Sequence, residues 1–138
     1  MSTRKAIREA LTTEIQKVPG IGETGSKWNL WDKCQRFPAA YTILDSDEKE
    51  YAPTRSKTVK ARFRIPCVFK SETPEDDFDL LYDAIETEIE DDPSLGGLAL
   101  LAYVSGCGNF ATAPEIAGGV YVRNIFVDVE YRHPRAQP

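Results

Sequence analysis

The residues best placed by type and spacing to do chemistry are glycines: Gly20, Gly22 and Gly25, followed by Lys27, in the run GIGETGSK. G-x-G-x-x-G is the turn that wraps a dinucleotide pyrophosphate, and Gly20 and Gly25 are also spaced as in a P-loop. Both uses need a helix N-terminus after the glycines, because its N–H groups and positive dipole end hold the phosphate. Here the order is reversed. Ile7, Leu11, Ile15 and Val18 recur at spacings of four, four and three, a helical stripe that runs into Pro19 and Gly20. The glycines therefore follow a helix C-terminus, whose unpaired carbonyls repel phosphate. Lys27 follows Gly25-Ser26 and so misses the Gly-Lys-Ser/Thr order of a P-loop. The run reads as a helix stop and a connector.

Other chemistries have thin support. Cys34, Cys67 and Cys107 are odd in number and far apart, a pattern of reduced thiols and not of a disulfide framework. Zinc usually takes ligands in close pairs such as C-x-x-C, and the three cysteines with His133 contain no such pair. Cys107 stands in the Gly-rich turn SGCGNF, where His133 is the only histidine available as its base. No third, orienting group is identifiable, and His133 lies among prolines. Trp28 and Trp31, flanked by Lys27 and Lys33, could stack on bases. A net charge of −5 and a pI near 4.9 argue against general nucleic-acid binding, so one indole is expected over the core edge and the other against a partner. No catalytic, cofactor-binding or metal-binding residue is assigned.

The elements that would position any site follow from pattern. With 138 residues, 41% apolar and 28% charged, one domain is expected. No apolar run nears the ~18 residues of a membrane span, and no apolar signal-peptide core follows the charged N-terminus; a cytosolic chain is expected. Ser2 or Thr3 caps the first helix. A first strand is expected in FPAAYTIL, and DSDEKE reads as a charged loop. In TVKARFRIPCVFK, Val59, Ala61, Phe63, Ile65, Cys67 and Phe69 share one face, with Lys60, Arg62 and Arg64 on the other. Such strict alternation predicts antiparallel sheet with one buried face, and Pro66, lacking an N–H, predicts an edge or a bulge at that end.

TPED announces a second helix, with Thr73 at the N-cap and Pro74 at the first position; Phe78, Leu81, Ile85 and Ile89 make its buried stripe. Its far end is acidic at Glu90, Asp91 and Asp92, unfavourable against the negative dipole end. PSLGG stops it, LALLAYVSG reads as a well-buried strand, and VYVRNIFVDVEY as a last one with alternating faces. The fold predicted for residues 1–138 is α+β: a mainly antiparallel sheet with two helices packed on one face. A flexible connector at about 20–36, a small-residue loop at about 107–119 and a loose tail at 132–138 complete it. Charge is divided along the chain. Residues 1–70 hold 14 Lys/Arg and 8 Asp/Glu, and residues 71–138 hold 3 and 14, an asymmetry that can mark interaction surfaces.

The segments IREALTTEIQKVPGIG, FPAAYTIL, TVKARFRIPCVF, DLLYDAIETEIEDDPSLGGL and VYVRNIFVDVEYRHP, in this order and at this length, resemble the tail terminator (tail completion) proteins of long-tailed bacteriophages. The likeness runs from about Ile7 to Pro134 and departs at the Trp-containing connector and the loop Cys107 to Gly119. It implies a structural virion protein, not an enzyme, with no cofactor. Such a protein forms a ring, usually a hexamer, that caps the tail tube, ends its polymerisation and offers the head–tail joining surface. Its partners would be copies of itself, the tube protein and the head–tail connector. DNA would pass through its channel without specific binding, and no membrane would be involved. It would be found at the head-proximal end of the tail, and in the host cytoplasm during assembly. A neck or connector ring protein is the neighbouring alternative, and a small α+β enzyme or ligand-binding domain using Cys107 the alternative from another class. For a ring, the basic strand face (Lys60, Arg62, Arg64) and the acidic helix end (Glu90, Asp91, Asp92) are the expected subunit contacts, and Trp28, Trp31, Asn109 and Phe110 the expected partner contacts.

Overall fold

The computed structural model describes residues 3–25, 38–51, 56–109, 111–112 and 120–134. Along the chain these form α1 (Thr3–Gln16), β1 (Glu23–Gly25), β2 (Ala39–Tyr41), β3 (Ile43–Tyr51), β4 (Ser56–Lys70), α2 (Pro74–Asp91), β5 (Leu101–Cys107), β6 (Ala111–Thr112) and β7 (Val120–Pro134). The two longest strands make the centre: β4 and β7 pair antiparallel over their whole length, from Ser56 opposite Pro134 to Lys70 opposite Val120. On the far side of β4 lie β2 and β3, and on the far side of β7 lie β5 and β6. Only β1, beside β2, runs parallel to its neighbour among the described strands. The fold is α+β, with a mainly antiparallel sheet and both helices on one face.

Alternation along β4 and β7 explains that arrangement. Val59, Ala61, Phe63, Ile65, Cys67 and Phe69 fall on one face, together with Ile125, Val127, Val129 and Tyr131 across the ladder; all are buried. A face this apolar must be covered, and each helix brings a stripe to cover it: Ile7, Leu11, Ile15 and Val18 from α1, and Phe78, Leu81, Ile85 and Ile89 from α2. Gly20 takes a positive φ of 87° just after α1, where a side chain would be strained. The opposite face is divided. Ala39, Tyr41, Val68 and Val122 make a small buried apolar group at one end, separate from the helix-covered core. At the other end Lys60, Arg62, Leu101 and Tyr103 are exposed.

Several local expectations are corrected. DSDEKE is strand and not loop, because β4 offers a complete antiparallel partner and tertiary pairing overrides composition: Asp47 lies opposite Ala61, and Glu48 opposite Lys60. Pro66 is at neither an edge nor a bulge of its own strand. The carbonyl of the opposing Asn124 is turned to β5, accepting from the Gly108 N–H at 2.9 Å, so the proline nitrogen faces Tyr41. There the ladder lapses between Ala40–Cys67 and Ile43–Arg64 without changing register. Beside that lapse the Thr42 N–H donates to the Gly25 carbonyl at 2.9 Å. The missing N–H of Pro66 is thus what separates β2 from β3.

LALLAYV is buried on one side only: Ala102 and Val104 point inward while Leu100, Leu101 and Tyr103 are exposed. The tail expected from 132 begins later, since Arg132–Pro134 still pair with Ser56–Thr58. Thr73 makes no side-chain cap to α2. Its own N–H is held by Ser71 Oγ at 2.8 Å, and Ser71 also hydrogen-bonds Asp77 in the first turn.

Candidate functional site

The exposed half of the sheet's outer face is built from three strands. The register sets Arg62 of β4 opposite Asp128 of β7, which lies in turn opposite Tyr103 of β5; one step along, Lys60, Glu130 and Leu101 make the next row. Side chains two apart on a strand share a face, so these rows stand beside each other. Arg62 donates from Nε to Asp128 Oδ1 at 2.9 Å and from its terminal nitrogen to Oδ2 at 3.4 Å, a forked pair. Its guanidinium also lies 5.6 Å from the centre of the Phe126 ring. Carboxylate and ring both contact the guanidinium group and fix its place on the sheet. Between Lys60, Arg62, Tyr103, Asp128 and Glu130 opens a depression of about 400 Å³. Tyr103, 43% exposed, lines it, and Leu101, 45% exposed, stands opposite Glu130 on β7.

On the other side of the molecule, α2 turns a continuous run of acid outward. Nine of its eighteen residues are Asp or Glu and none is basic. Its acidic C-terminal end, expected to need relief from a neighbour, finds part of that relief within the chain. The Asp92 carboxylate accepts from Ser94 Oγ and from the Gly96 N–H, each at 2.8 Å. These bonds, the Ser94 hydroxyl first, hold its pKa below the usual carboxylate value. Lys17, at the end of α1, bonds Glu14 at 3.1 Å; Glu14 foremost, with Glu88 and Asp92 adding to it, raises the pKa of that ammonium. Glu90 and Asp91 are exposed. The sequence missed Leu80, which stands 71% exposed among these acids. The available signal was its position: an apolar residue off the stripe of Phe78, Leu81, Ile85 and Ile89.

The remaining candidates separate. The glycine run enters from a helix and forms β1 at Glu23–Gly25, so its described part has a helix C-terminus before it and a strand within it. Cys107 pairs with Ile125, and His133, eight residues further along β7, pairs with Lys57. At ~3.4 Å per residue that is about 27 Å, far beyond proton transfer. Cys67 is buried, its thiol donating weakly to the Ile65 carbonyl at 3.4 Å, and burial pushes its pKa up. Among the described residues no three His, Cys, Asp or Glu side chains group as metal ligands. Also among them, no helix is long and apolar enough to cross a membrane. Asn109 is exposed at the end of β5, next to Gly108, whose carbonyl accepts from Arg123 Nε at 2.6 Å. Trp28, Trp31, Phe110 and Cys34 lie outside the described residues. Comparison with protein-family models and with curated proteins returns no match. The fold defines an α+β layer pair with an acidic α2 on one side and a mixed-charge sheet face on the other.

Proposed function

We propose that this protein is a structural virion subunit that forms a ring on the head-proximal end of a long phage tail. There it caps the tail tube, stops its growth and presents the surface to which the head-side connector joins. The observation that carries the reading is the division of the molecule into two opposed surfaces. One is an open sheet face bearing Lys60, Arg62 and Arg64 beside Asp128 and Glu130, and the other the outer side of α2, a helix with nine acidic residues and no basic one. Closed rings are made by head-to-tail contacts, in which every subunit uses two different surfaces. The likeness of the sequence segments to tail terminators supports the choice among rings.

The mechanism needs no covalent step. A tube lengthens by adding subunits to an exposed end. A ring that matches that end on one side, and offers unlike groups on the other, removes the place where the next subunit would bind. Lys60, Arg62 and Arg64, with Glu90, Asp91 and Asp92, belong in this reading to subunit contacts, and Trp28, Trp31, Asn109 and Phe110 to partner contacts. Surplus negative charge, −5 per chain, keeps passing DNA from adhering.

Tubes polymerised from purified tube protein in the presence of this protein are expected to stop short, with a ring at one end in electron micrographs. An unchanged length distribution, with no added density at the ends, overturns the reading.

A further inference from the structure

We draw no further inference here: the strongest candidate, the exposed apolar patch of Leu98, Leu100, Leu101 and Tyr103 that leads into and along β5, carries nothing because nothing in the structure shows what covers it.

Discussion

At Asp92 a single side chain decides how a helix ends. α2 finishes with carboxylates against its own negative dipole end, and Leu95, Gly96 and Gly97 turn the chain away with positive φ values of 50°, 70° and 92°. The carboxylate closes that turn by accepting from Ser94 Oγ and the Gly96 N–H, and Leu95 is buried as a result. A carboxyl whose pKa is lowered by folding adds stability that is complete above its unfolded pKa of ~3.9 and is lost as pH falls through the lowered folded value. Asp92→Ala is therefore expected to melt below wild type at neutral pH, with the gap closing as the solution is acidified towards pH ~2. Melting curves across pH check this. A gap that is constant with pH would mean that the charge plays no part in the turn.

Between elements, the same physics separates what was legible in the sequence from what was not. The period-two face of β4 and the stripes of α1 and α2 could be read because each is a local pattern with a buried side, and Lys60, Arg62 and Arg64 were placed on the outer face by the same alternation. β3 could not be read. Its residues Asp45 to Glu50 have little strand propensity of their own and are strand because β4 pairs with them. LALLAYV misled for the converse reason: a continuous apolar run looks buried on both faces, yet no helix covers the outer side of β5, which leaves Leu101 and Tyr103 in solvent. Leu80 was hidden by attention to the stripe beside it.

If α2 is held by that stripe, removing its centre should be costly. Ile85 is fully buried between sheet and helix, and Ile85→Ala is expected to destabilise by about 2–5 kcal/mol, measured by urea unfolding. Leu80→Ala, on the same helix, should leave the unfolding midpoint nearly unchanged.

For the whole molecule, salt tells apart the two ways charge can act. Each chain carries −5, so copies repel, while in the proposed ring the opposed surfaces would attract. Range decides between them. A domain of this length has a radius of gyration of about 14 Å, that of a sphere about 18 Å in radius, so neighbouring centres in the proposed ring would stand roughly 37 Å apart, while contact charges would be ~3–4 Å apart. At ~0.1 M salt the Debye length is about 10 Å, so net repulsion is already largely screened and the contact pairs are not. Raising salt towards ~1 M, where screening acts over about 3 Å, should then weaken association. Exposed pairs contribute ~0.2–1 kcal/mol each, so two or three of them predict a loss of roughly tenfold. At ~0.01 M the Debye length grows to about 30 Å and reaches across subunits, so repulsion should return and association fall again. Light scattering over this range should show assembly strongest at intermediate salt. Assembly that strengthens steadily up to ~1 M would mean that the acidic helix and the cations of the sheet face never meet.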